Sequence, residues 1–282
     1  MFSLELAGAI EDFAAVMLPL STKDLERQWV WKDHAEEGVR FAFFVTIQEL
    51  RALAVTLASL RTPLTPAHRI LGQYHAQYRD LQAAIFGLAE ADSERAPAEN
   101  EWSIRKIYGH ILGAEIGFSA VVRNALEQHR SGTWTPQPMS DEDEMRITGM
   151  SEQGYRRLVQ GPLRGMLVFH REFHPKVIEE FSTITAAELD LPSTFWEETR
   201  FPIRHRLHRF EAHIVQHTVQ IDKALAAIDL APSETKRLIR YLFAALAEVE
   251  SSLIGENAAT TGYTELCRTT RARTDEIREI LG

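Results

Sequence analysis

Apolar residues recur every three to four positions along nearly every long stretch of this 282-residue chain, and no stretch keeps a two-residue, strand-like alternation between turns. That period predicts an all-α protein of six or more helices. The first strong helix spans about Glu36–Leu60, with Phe41, Phe44, Ile47, Leu50, Leu53 and Leu57 as its stripe, and Thr62-Pro63-Leu64-Thr65-Pro66 ends it. Pro66 suits the first turn of the next helix, which runs through Ile70, Tyr74, Tyr78, Leu81 and Ile85. After an acidic, proline-containing loop at 90–100, Ser103 reads as the N-cap of a helix carrying Ile104, Ile107, His110, Ile111, Phe118 and Val122. Its hydroxyl can accept from a backbone N–H that has no helical partner.

Between about His129 and Thr148 the chain turns to Ser-Gly, two prolines and the acid run Asp141–Glu144, the longest irregular stretch expected. At about 3.3 Å per residue, roughly twenty residues can travel the length of a bundle, so the flanking helices need not be antiparallel neighbours. The next helical region holds Leu163, Met166, Leu167, His170, Phe173 and Val177, restarts at Pro162, and is expected to kink or break around Pro175. A loop at 188–200 containing Trp196 precedes a helix from about Pro202 through Leu207, Phe210, Ile214, His217, Ile221 and Leu225. Two last helices, Ser233–Ile254 and Tyr263–Leu281, joined by residues 255–262, read as a hairpin.

Composition narrows the class. With 45% hydrophobic and 25% charged residues the chain is a globular protein with room for one large domain or two small ones. The single cysteine, Cys267, excludes an internal disulfide and favours a cytoplasmic setting. Glu5, Glu11 and Asp12, without a basic segment before them, argue against a secretory signal. Glu49 and Arg51 interrupt the most hydrophobic stretch, Phe41–Leu60, so no membrane is expected as a partner. A net charge of −9 opposes phosphate binding. The one basic segment holds Arg200, Arg204, Arg206 and Arg209 with His205 and His208. Arg200, Arg204 and His208 would share one helical face, an ordinary solvated or anion-facing surface, so nucleic acid is not expected either.

Histidines carry the candidate chemistry. His213 and His217 stand four residues apart inside an apolar helical pattern, where both imidazoles face one side and can converge on one ion without backbone distortion. His217 falls on the stripe of Phe210, Ile214, Ile221 and Leu225, a bundle interior in which unpaired imidazoles are costly. His110, beside the apolar stripe of its own amphipathic helix, is the best third ligand. With eleven histidines in the chain, spacing alone does not choose: His170 and His174 make a second such pair. A buried imidazole that simply donates one N–H to a carbonyl is the ordinary alternative. Pro175 disfavours a helical conformation at His174, while His170 could line a pocket, supply a fourth ligand or act as an acid/base group. Glu115 and Glu211 are further acid/base or outer-sphere candidates, with exposed helix carboxylates as the plainer reading. Trp102 and Trp134 are candidates for a pocket mouth, aromatic packing being the alternative.

The helix start at Trp102-Ser103 followed by His110, together with the late His213/His217 pair trailed by Gln220-Ile221, resembles the DinB superfamily over about residues 62–230. The resemblance implies a four-helix bundle in up-down-down-up order in which three histidines bind a divalent metal, commonly zinc or nickel. It further implies an enzyme acting on a small-molecule substrate: a transferase or isomerase using a low-molecular-weight thiol such as mycothiol or bacillithiol, or a hydrolase. Residues 1–61 are then an N-terminal helical extension and 231–282 a C-terminal hairpin packed on the bundle. These apolar end helices and the family likeness suggest a homodimer. Three histidines leave a coordination position open, as a catalytic metal requires. A fourth protein ligand would instead favour a non-catalytic metal-binding or interaction protein. No Gly-rich phosphate loop or GxSxG motif offers metal-free chemistry.

Overall fold

The computed structural model describes residues 4–34, 38–195, 199–256 and 261–282. The expected helix start at Glu36, Trp196 and the connector 257–260 lie outside them. The described residues form α1 (Leu4–Met17), α2 (Thr22–Leu25), α3 (Phe41–Leu60), α4 (Pro66–Ile85), α5 (Glu90–Ser93), α6 (Ile104–Ser131), α7 (Asp141–Thr148), α8 (Glu152–Val159) and α9 (Leu163–Phe181). A two-stranded antiparallel pairing follows, β1 (Pro192–Ser193) with β2 (Phe201–Pro202), and then α10 (Ile203–Ala227), α11 (Glu234–Ser251) and α12 (Thr261–Leu281). The protein is all-α, as the periodicity predicts.

Two compact units divide the chain: residues 1–63, 79–87 and 231–282 form one, and 64–78 with 88–230 the other. The two ends of the chain, expected as a separate extension and hairpin, therefore come together in one unit, and the long helix α4 contributes residues to both.

In the unit made by the chain ends, α1 packs on α12 and α11, and α3 on α11 and α12, which closes a four-helix ring. Leu6, Ile10, Phe13 and Met17, spaced three to four apart, are fully buried on one face of α1 together with Ala14. Helix α3 keeps its expected position with a shifted stripe. Ala42, Phe43, Val45, Thr46, Leu50, Ala54 and Leu57 are buried, whereas Phe44, expected inside, is 42% exposed. Residues 38–60 are long and apolar enough to cross a membrane by length and composition alone. In the ring, however, Glu49 pairs with Arg273 of α12 at 2.9 Å and Arg51 with Glu248 of α11 at 3.3 Å, as in a bundle helix. Deeper in this unit, Arg79 bonds both carboxylate oxygens of the buried Glu250, at 2.8 and 2.5 Å.

The other unit is a four-helix bundle of α6, α9, α10 and the first part of α4. Neighbouring residues give its directions. His68 meets Ser182 and Tyr78 meets His170, so α4 and α9 are antiparallel. Tyr108 meets His170 and Arg123 meets Glu180, so α6 and α9 are parallel. His110 meets His217 and Phe118 meets Phe210, so α6 and α10 are antiparallel. The order is up-down-down-up.

Parallel α6 and α9 need a crossover, supplied by residues 132–162. This segment was expected to be irregular up to Thr148, and it contains α7 and α8, both packed on α6. Its acid run is the first turn of α7, where Ser140 accepts from Asp143 N at 3.1 Å and the carboxylates complement the helix dipole. Gly109 makes the crossover fit, because a Cβ there would collide with the backbone oxygen of Val159 at the end of α8. Helix α9 runs unbroken through Pro175, contrary to the expected break. Burial of His170, His174, Val177, Ile178 and Phe181 on one face outweighs the single hydrogen bond that proline removes.

Candidate metal site

Ser103 caps α6, accepting from Lys106 N at 3.4 Å, and so sets the helix phase that turns His110 toward α10. The Trp102 ring stands edge-on to His110 with centroids 5.3 Å apart. From α10, the i, i+4 pair His213 and His217 presents both rings to the same point. Centroid separations are 4.9 Å for His110–His213, 4.6 Å for His110–His217 and 4.4 Å for His213–His217. One nitrogen from each ring lies within 4.8 Å of the others, and the Nε2 atoms of His110 and His213 are 3.1 Å apart. For metal–nitrogen bonds of about 2.0–2.1 Å, two ligands on a tetrahedral ion sit about 3.3 Å apart, close to this spacing. His217 is oriented from outside: its Nδ1 lies 2.8 Å from Oε1 of Gln220, which leaves Nε2 for a ligand bond.

Electrostatics suit the same use. Burial, reinforced by the neighbouring His217 and His110, pushes the His213 imidazole down to a pKa of about 4, so it is neutral and keeps a lone pair at physiological pH. Burial and His217 also lower His110. The site is open on one side. His217 and Gln220 line a cavity of about 620 Å³ together with Trp102, Ile107, Glu101 and Lys223. This donor set, with an adjoining cavity, fits a divalent-metal site.

The remaining candidates are distributed elsewhere. Glu115 lies five residues, about 140° of helical rotation, beyond His110 and so points away from α10 into the bundle interior. There it is fully buried with His170 and His174. His170 Nδ1 bonds the Tyr108 hydroxyl at 2.7 Å and its Nε2 lies 2.7 Å from Glu115 Oε2, so it belongs to this inner cluster. His174, judged unfavourable because of Pro175, is a member as well, with Tyr78 stacked on it at 3.8 Å. Burial pushes its pKa down to about 3. Burial acts to raise Glu115, but the adjacent imidazoles of His170 and His174 outweigh it and hold the carboxyl well below the usual carboxylate range. Glu211 is partly exposed and sits 3.9 Å from His208. Trp134 stacks on His129, 5.1 Å between centroids, and is not among the residues lining the cavity. Of the basic segment, Arg204 pairs with Asp190 and Arg206 turns inward, where it is 4% exposed and bonds Ser193, so the four arginines do not make a single exposed face.

The inner cluster was half visible in the sequence. The His170/His174 spacing marks it, while Glu115, Tyr74 and His75 enter from two other helices and share no local motif. A family model described as the DinB superfamily matches residues 73–221, more than half of the chain and all the histidines of both clusters. No curated protein and no solved structure gives a significant match.

Proposed function

The chain belongs to the DinB superfamily, and from that premise we propose that it is a divalent-metal-dependent enzyme that activates a water or a low-molecular-weight thiol for hydrolysis or group transfer onto a small molecule. The observation that carries this reading is the convergence of His110, His213 and His217, one nitrogen each within 4.8 Å, at the wall of a cavity of about 620 Å³. These three histidines would hold the ion, with zinc or nickel suited to an all-imidazole donor set. When bound, the ion supplies a Lewis acid that brings the pKa of a water or thiol toward neutrality and polarises an electrophile.

The chain's own residues do the rest. Gln220 holds His217 in the tautomer whose Nε2 is free. Trp102 presents an aromatic wall beside His110, against which an apolar part of a substrate can pack. Lys223 and Glu101 place opposite charges on the cavity lining, which would orient a substrate bearing a carboxylate or an amine. A cytoplasmic setting, where such thiols are abundant, and a homodimer belong to the same proposal.

The test is elemental analysis of tag-free protein beside a His213→Ala/His217→Ala variant, followed by screening of thiol-transfer and hydrolysis substrates. Loss of about one equivalent of zinc or nickel in a variant that stays folded, together with loss of turnover, is the expected result. Equal metal content in the two proteins would remove this site and return the chain to the alternative of a helical interaction protein.

A further inference from the structure

We propose that Glu115, His170 and His174 form a second divalent-metal site, buried in the bundle interior, that takes a first-row transition ion through two imidazoles and one carboxylate. It is independent of the three-histidine site and of the activity proposed there.

One carboxylate oxygen or imidazole nitrogen from each of the three residues lies within 4.8 Å of the others. Each residue also has two polar atoms, and in each one of them is tied by an outer partner. The Tyr108 hydroxyl lies 2.7 Å from His170 Nδ1, His75 Nδ1 lies 3.0 Å from His174 Nε2, and the Tyr74 hydroxyl donates to Glu115 Oε1. The atoms left over are Glu115 Oε2, His170 Nε2 and His174 Nδ1, and all three are buried without a hydrogen-bond partner. Glu115 Oε2 and His170 Nε2 are in close contact at 2.7 Å, without a hydrogen bond to either atom. His174 Nδ1 is 3.9 Å from Glu115 Oε1, too far for one.

Three polar atoms without hydrogen bonds, two of them in contact with each other and all fully buried, are costly, and an ion satisfies all of them at once. The outer partners are those a metal site uses: ligating histidines fixed through the second ring nitrogen and a ligating carboxylate fixed through its second oxygen. Placement on the helices agrees. His170 and His174 are an i, i+4 pair on α9, Glu115 comes from the parallel helix α6, and Tyr74 and His75 come from α4. Two imidazoles with one carboxylate suit zinc or iron(II). An ion there would cross-link α6 to α9.

Chelator-stripped full-length protein, dialysed against cobalt(II) and separately against zinc(II), should take up two equivalents. A His110→Ala/His213→Ala/His217→Ala variant should keep one, and chelation should then lower its melting temperature. Adding Glu115→Gln and His174→Phe should remove that last equivalent. A folded triple-histidine variant that binds none, or an equivalent that survives the two inner substitutions, overturns the proposal. If the combined variants do not fold, anomalous diffraction from zinc-loaded wild-type crystals decides. A peak between Glu115, His170 and His174 supports the site, and no peak there overturns it.

Discussion

Nδ1 of His217 lies 2.8 Å from Oε1 of Gln220, about one turn further along the same helix. A carbonyl oxygen only accepts, so this bond places the imidazole proton on Nδ1 and keeps the Nε2 lone pair free on the side of His110. Gln220→Leu retains the helix and most of the bulk while removing the constraint. Metal affinity, read by competition with a chromogenic chelator, is expected to fall about 10- to 100-fold, with the melting temperature of the metal-free protein unchanged. An unchanged affinity would show that Gln220 does not orient the ligand.

Acid should loosen the metal-free protein earlier than an ordinary helical bundle. Folded His213 takes a proton only near pH 4 and folded His174 only near pH 3, against 6.5 for an unperturbed imidazole. Between those values the unfolded chain binds more protons, so stability falls as pH drops from about 6.5, by on the order of a few kcal/mol by pH 4. Glu115, also held low, adds loss of the same sign at more acid pH. Thermal melts in the presence of a chelator measure this, and a flat melting temperature from pH 7 to pH 4 would contradict it.

Gly109 sits where a Cβ would run into the carbonyl of Val159. Since a backbone atom cannot rotate aside as a side chain does, Gly109→Ala has to displace the end of α8 from α6. A loss of about 1–3 kcal/mol is expected, visible as a lowered denaturant midpoint. Gly132, with open space around its Cβ position, tests a different cost: its φ of +73° at the end of α6 makes Gly132→Ala strained for backbone reasons alone.

Arg79 and Glu250 form a buried charge pair for which single and joint replacement should differ. Removing one charge, as in Glu250→Gln, leaves Arg79 facing Glu11, 3.5 Å away and partly exposed, in place of a fully buried carboxylate, and is expected to cost up to about 3–5 kcal/mol. Replacing both by apolar residues of similar volume, Arg79→Met with Glu250→Leu, should recover much of that loss. Chemical denaturation of the two variants separates the outcomes, and equal destabilisation would mean that the pair is not energetically coupled.

Much of the architecture was legible because helices are local. The three-to-four residue period of α4, α6, α9 and α10 required only a reading of neighbouring positions, and so did the serine cap at Ser103 and the i, i+4 geometry of His213 and His217. Where local rules competed, reading was harder. Asp141–Glu144 looks like a solvated loop until Ser140 is seen to cap it, and Pro175 looks like a helix end until the burial around it is counted. Phe44 and Ala42 exchange the inside and outside of α3 through a modest shift of phase, which a helix apolar on several faces does not specify.

What the sequence by itself determined is the helical class, the phase of the turn of α10 that carries His213 and His217, and the residue types able to bind an ion. Tertiary structure alone decided that the two ends of the chain close one four-helix ring, and that His170 joins Glu115 and His174 in place of the His213 pair. The reason is physical: helix propensity and side-chain period act within a few residues. Which faces meet depends on long-range burial, and no local pattern encodes contacts between α4, α6 and α9 across some hundred positions.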